Sequence, residues 1–241
     1  MDPRSSVINK RLSGIKRIIA VASGKGGVGK SLVASSLALN LSGKGNKVGL
    51  LDLDLYGPSS HIILGVTDYS FPEEEKGILP HKVGKINFMS IVYFTEDKPA
   101  PLRGIDISNI IIELLSITQW GELDFLIIDM PPGIGDETLD VIKLIKRSEF
   151  LVVTTPSKVS MGAVSKLLKI LKELKLPIIG LIENMKMTDS KYVKNIGKEL
   201  DINYLDPIYF DKKLEDSIGD MDKLRISSFM DDLNKAVKET F

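Results

Sequence analysis

The residues from Gly24 to Ser31 are of the right types and spacing to handle phosphate. Gly24, Lys25, Gly26, Gly27, Val28, Gly29, Lys30 and Ser31 satisfy the pattern G-x-x-x-x-G-K-[ST]. Four glycines let the backbone approach a ligand closely and aim successive N–H groups at phosphate oxygens. Lys30 is placed to bridge the β- and γ-phosphates, and the Ser31 hydroxyl to ligate Mg²⁺. An apolar run ends at Ala22 and a helical pattern starts near Lys30. That places the loop at a helix N-terminus, where the helix dipole favours an anion. Such a loop needs only one lysine, and Lys25 is a second. Three carboxylates carry the rest of the chemistry. Asp129 ends the apolar run "FLIID", where it can order the water shell of a magnesium ion. Asp52 and Asp54 end "LLDLDLYG" and share one face of an extended segment. Ser31, Asp54 and Asp129 are the candidate magnesium residues. Pro131, Pro132, Gly133 and Gly135 follow Asp129 as a restricted loop that can sense a γ-phosphate.

These groups converge only if strands of one parallel sheet deliver them, because parallel α/β sheets bind ligands beyond the carboxyl ends of their strands. The chain reads that way. Apolar runs at 17–23, 47–55, 86–94, 123–133, 150–156 and 177–185 read as strands. Helical patterns at 30–45, 108–118, 136–146 and 160–175 alternate with them. The expectation is one α/β P-loop NTPase domain, a mainly parallel sheet flanked by helices on both faces, over 15–241, with 1–14 as an N-terminal extension. Residues 56–84, dense in Gly, Pro and charge, read as mostly loop with one short helix. Near the C-terminus, Ile226, Phe229, Met230, Leu233 and Val237 fall on one helical stripe expected to dock on the core.

Composition narrows the function. There are 32 basic and 32 acidic residues, so no bulk charge draws the chain to nucleic acid or to an anionic membrane. No run approaches the ~18 apolar residues of a membrane span, and no apolar segment marks a signal peptide. A soluble, cytoplasmic protein is expected. With no cysteine, disulfides, thiolate metal sites and thiol nucleophiles are excluded from this chain. His61 and His81 lack paired ligand spacing and read as exposed loop residues.

The string "SGKGGVGKS" resembles the deviant Walker A loop of the MinD/ParA/Mrp group of P-loop ATPases. Its co-occurrence with "DLDLYGPSS", "LRG" (102–104), "WGELDFLIIDMPPGIGDETL" and "IENM" resembles the Mrp/ApbC branch, whose better-known members carry iron–sulfur clusters. The resemblance runs from about residue 15 to 185. It implies a homodimer in which Lys25 reaches the partner's nucleotide, an attacking water positioned by Asp54, and adenine hydrogen-bonded by Asn184. It also implies ATP as the nucleotide and Mg²⁺ as its ion.

The sequence departs from the carriers after "ENM". They place a Cys-x-x-Cys pair there, whereas this chain reads "ENMKMTDSKYVKNIG", with Met185 and Met187 in packing roles. Leu102 also stands where a tryptophan is common. No self-contained iron–sulfur cluster is expected. The expected function is a slow, partner-stimulated, Mg-dependent ATPase in iron–sulfur protein maturation, working through a thiol-bearing partner. A MinD/ParA-like dimer switch that recruits a protein is the alternative. An oxidoreductase lacks its cysteines, and a kinase lacks a visible acceptor site.

Overall fold

The computed structural model describes residues 4–98 and 104–241, so Leu102 and Arg103 of "LRG" lie outside the described residues. Seven strands form one sheet in the order β3-β4-β2-β5-β1-β6-β7. They are β1 (Ile15–Ser23), β2 (Val48–Asp52), β3 (His81–Val83), β4 (Ile86–Ser90), β5 (Leu123–Asp129), β6 (Ser148–Thr154) and β7 (Ile178–Glu183). Every pairing is parallel except β3 with β4. The central strands are buried throughout most of their length, which is why they read as continuous apolar runs rather than alternating ones.

The helices are α1 (Arg4–Leu12), α2 (Lys30–Gly43), α3 (Ser60–Leu64), α4 (Val92–Thr95), α5 (Gly104–Ile117), α6 (Asp136–Leu144), α7 (Lys158–Glu173), α8 (Tyr192–Glu199), α9 (Met221–Arg225) and α10 (Ser228–Val237). From β1 the chain crosses through α2 toward β2. From β5 it crosses the other way, through α6, to β6. Right-handed crossovers in opposite directions put their helices on opposite faces. Neighbouring β1 and β5 therefore part company at their carboxyl ends, and a crevice opens there. Helix α2 packs on β1, β2 and β5, with α9 and α10 behind it. Helix α5 packs against α1 and α6.

Several details depart from the sequence reading. The 56–84 segment holds α3 as expected, but β3 opens at His81 within it. The run 86–94 is a strand only to Ser90, after which Val92–Thr95 turns into a short helix. Within the expected N-terminal extension, Arg4–Leu12 form α1, whose Ile8 and Leu12 are buried. Ile226 is 83% exposed, whereas Phe229, Met230, Leu233 and Val237 are buried. The stripe is broken because a new helix starts after Ile226, capped by Ser227, whose hydroxyl accepts the Met230 N–H. Ile226 belongs to the end of α9 and falls off the face that its neighbours share.

Candidate nucleotide site

The strand β1 runs into the glycine loop, and the loop runs into α2. Gly29 carries φ +81°, a left-handed conformation that only glycine adopts without strain. A side chain there would also collide with Asn184, whose Nδ2 would lie 2.2 Å from the added carbon. Gly29 caps α2 without any side-chain hydrogen bond, so the first N–H groups of the helix are left to a ligand. Beside the loop lies a cavity of about 300 Å³ lined by Lys25, Lys30, Ser31, Asp54 and Pro132 among others.

The carboxylates arrive by sheet register. Asp52 on β2 and Asp129 on β5 are direct neighbours across the ladder, both fully buried. Lys30 is 5% exposed, with Nζ 2.5 Å from Asp129 Oδ1 and 3.7 Å from Asp54 Oδ2. A buried ammonium is tolerable only with such partners. The sequence placed Asp52 and Asp54 side by side on one strand, but β2 ends at Asp52. Asp52 turns inward, and its two oxygens accept the backbone N–H groups of Asp54 (3.0 Å) and Ser60 (3.2 Å). Asp54 lies beyond the strand at the mouth, where its Oδ1 accepts the Gly57 N–H at 3.3 Å.

Burial raises the Asp52 carboxyl to about 7, reinforced by the charge of Asp129 and opposed by Lys30 and the two N–H donors. Burial also raises Asp54, again against the pull of Lys30. The cluster is therefore balanced on one cation.

Sequence reasoning missed Ser60. Its hydroxyl donates to Asp129 Oδ2 at 3.2 Å while its N–H binds Asp52, so one residue ties the two strand ends together. The signal was present in "DLDLYGPSS", but nothing local distinguishes Ser60 from Ser59. The loop after Asp129 is also anchored, since the Gly133 N–H donates to the Ser23 carbonyl at 3.0 Å.

Asn184 follows β7 and is 2% exposed. Its Nδ2 donates to the Val28 carbonyl at 2.9 Å, so it braces the phosphate loop from behind. Lys25 lies exposed at the loop tip, and its ammonium has no partner among the described residues.

The histidine expectation is corrected. His61 is 1% exposed, inside α3, with Nε2 3.4 Å from Asp97 and its ring edge-on to Tyr69. His81 is half-buried and stacks on Tyr93, with ring centres 4.0 Å apart. Neither is a free loop residue, because each packs against segments distant in sequence. Among the described residues no group of three or more His, Asp or Glu is set to hold a metal, and no helix is long and apolar enough to cross a membrane.

A glycine loop with its lysine under an uncapped helix, facing acids from two neighbouring strands, defines a P-loop NTPase of the MinD/ParA-like class. Solved structures agree on the fold. A nucleotide-binding protein from Archaeoglobus fulgidus, solved in complex with ADP, superposes with a TM-score of 0.78 at 30% identity, covering 92% of this chain and 93% of that one. The cell-division ATPase MinD of Pyrococcus furiosus superposes with a TM-score of 0.70 at 21% identity, over 93% and 98% of the two chains.

Within that class, the chain belongs to the NUBPL iron-transfer P-loop NTPase family (ParA), whose family model matches residues 14–218. Among its relatives, the iron–sulfur cluster carrier protein of Pseudomonas fragi is 38% identical over 72% of this chain and 62% of its own length. That of Aquifex aeolicus is 41% identical over 73% and 49%. The chain thus spans less than two-thirds of the length of these curated relatives.

Proposed function

We propose that this chain is a magnesium-dependent ATP hydrolase that works as a homodimer in iron–sulfur protein maturation, in the cytoplasm. The observation that carries the reading is Lys30. Its buried ammonium is held between Asp129 and Asp54 at the base of an uncapped glycine loop, an arrangement suited to a polyphosphate and its cation.

The loop N–H groups from Gly24 to Ser31 bind the phosphate oxygens, and Lys30 shifts toward the β- and γ-phosphates. The Ser31 hydroxyl, with Asp54 and Asp129, would hold Mg²⁺, which when bound neutralises charge on the transferring phosphoryl group. Among the described residues no group of three or more His, Asp or Glu is set to hold a metal on its own, which suits an ion that arrives on the nucleotide. Asp54 orients the attacking water. Asn184, beside Val28, is assigned to the adenine base. Lys25 is assigned to the phosphates of the second subunit, a role supported by its exposure and by the lack of a partner among the described residues. A cluster would be cargo rather than a resident group. With no cysteine in the chain, its thiol ligands would come from a partner protein.

The test has two arms. Phosphate release is followed from ATP with Mg²⁺ or with EDTA, and iron is quantified after anaerobic reconstitution with and without a dithiol-bearing scaffold protein. Magnesium-dependent turnover, with iron retained only alongside the scaffold, is the expected result. Absence of turnover under every condition would reject the hydrolase reading.

A second reading, an ATP-gated dimer that recruits a protein without cluster chemistry, has its own observation. Met187, Tyr209 and Phe210 are 70%, 49% and 47% exposed, and their backbones meet beyond the end of β7 through the Lys186–Tyr209 bridge. ATP-dependent binding of a purified candidate partner, lost on charging Phe210 and accompanied by no iron, would favour it.

A further inference from the structure

One fully buried acid has no part in the chemistry proposed above. Glu183 ends β7, immediately before Asn184. Its Oε2 accepts the Tyr204 hydroxyl at 2.5 Å and lies 3.4 Å from Lys186 Nζ, while Oε1 has no partner among the described residues. Burying a carboxylate with one oxygen unpaired is costly, and an apolar side chain could fill a strand end without that cost. What the acid holds is a turn. Met185 carries φ +57°, a left-handed conformation that is unfavourable for a residue with a side chain. Lys186 closes the turn. Its N–H donates to the Ile208 carbonyl at 3.0 Å, its carbonyl accepts the Phe210 N–H at 3.0 Å, and its ammonium returns to Glu183. The turn delivers two side chains to the phosphate loop. Asn184 Nδ2 donates to the Val28 carbonyl at 2.9 Å. The Met185 methyl group lies 3.5 Å from where a side-chain carbon on Gly29 would sit.

We infer that Glu183 is a positioning residue: with Lys186 and Tyr204 it fixes the left-handed turn at Met185, so that Asn184 braces the phosphate loop in the form that accepts a nucleotide. The bracing stands on the contacts themselves, and its consequence for binding rests on the nucleotide reading above. A residue in a sparsely populated backbone region stays there only when its surroundings over-determine it. Without the carboxylate, Lys186 loses its charged anchor and the turn is free to relax. The Asn184 bond to Val28 then weakens, and an arriving nucleotide must order the loop itself. The effect falls on affinity rather than on phosphoryl transfer, because the side-chain partners of Glu183 are Tyr204 and Lys186 and not Lys30, Asp54 or Asp129.

Two readouts separate the bracing role from the nucleotide reading. In the nucleotide-free protein, the Asn184 side-chain amide, assigned by its loss in Asn184→Ala, should exchange protons with water slowly, because it donates to Val28. Glu183→Gln, which keeps size and shape, should speed that exchange about tenfold. It should also weaken Mg-ATP binding about tenfold by calorimetry, with kcat at saturating ATP changed by no more than about twofold. Joining Glu183→Gln to Asn184→Ala should weaken binding no further than Asn184→Ala alone, since both act through one bond. Adding Lys186→Met to Glu183→Gln removes the ammonium left unpaired, so the urea midpoint should recover while fast exchange and weak binding persist. That variant also carries the test should Glu183→Gln fold poorly. Affinity that returns with stability would reduce Glu183 to a structural acid and overturn the inference. So would Asn184 exchange that stays slow in both variants, or additive losses in the double variant. Fast exchange on losing Glu183, in a protein whose wild type binds no ATP, would support the bracing role and reject the nucleotide reading.

Discussion

The nucleotide site and the surroundings of Trp120 treat buried polar groups in opposite ways. At the carboxyl ends the deeply buried charged groups are partnered: Lys30 with Asp129 and Asp54, Asp129 with Ser60, and Asp52 with two backbone N–H groups. At the amino ends, Trp120, Asn87 and His81 keep neutral polar atoms with no partner. The difference follows from magnitudes. An unpaired buried ion is costlier by several kcal/mol than an unpaired neutral donor, so only neutral groups are left without any partner. The charged end must hold its own counter-ions and exchange them.

The largest effect should come from removing the cation on which the charged end balances. Lys30→Ala should reduce ATP turnover about 10²–10³-fold and lower stability by about 3–5 kcal/mol, read by phosphate release and urea unfolding. An unchanged urea midpoint would show that Asp52 and Asp129 do not depend on Lys30. Lys25→Gln should lower turnover about 10²-fold while leaving nucleotide affinity and the urea midpoint in place. Sedimentation with ATP would show fewer dimers. Asn184→Ala should weaken nucleotide binding about tenfold by releasing Val28, a loss of about 1–1.5 kcal/mol, read by calorimetry.

A smaller effect is expected at His61, whose imidazole is pushed below its ordinary value by burial and partly restored by Asp97. The unfolded chain then takes up the proton first. The contribution to stability is fully present above about pH 6.5. It is lost as pH falls from there through the lowered native value. His61→Gln should flatten that part of the melting-temperature profile against pH. The smallest effect belongs to the neutral end. Asn87→Leu removes an unpaired buried oxygen and should leave stability unchanged or slightly raised, and a clear loss in urea unfolding would mean that Asn87 already has a partner.

The phosphate loop was legible because its determinants are local: a glycine pattern, a preceding apolar run and a following helical one. The same holds for β5, since "FLIID" needs no distant information to read as a buried strand ending in an acid. His61 was misread because its burial is supplied by Tyr69 and Asp97 across an irregular segment. Strand β3 went unseen because three residues at an edge, partly exposed, carry no period. Ser60 and Asn184 are intermediate cases. Their motifs could be read, but the contacts with Asp129 and Val28 exist only once distant strands are laid side by side. The same is true of the space around Trp120, which no spacing in the chain announces.

Lys30 resting on Asp129 has a consequence for timing. On the proposed reading, a nucleotide entering the loop would not fill a vacancy; it would compete with a carboxylate for the same ammonium. Each arrival would then set an acid free at the end of β5, and each departure would recapture it. Occupancy would redistribute charge inside the sheet before any segment moved, and Ser60, tied to both Asp129 and Asp52, is the residue placed to register it.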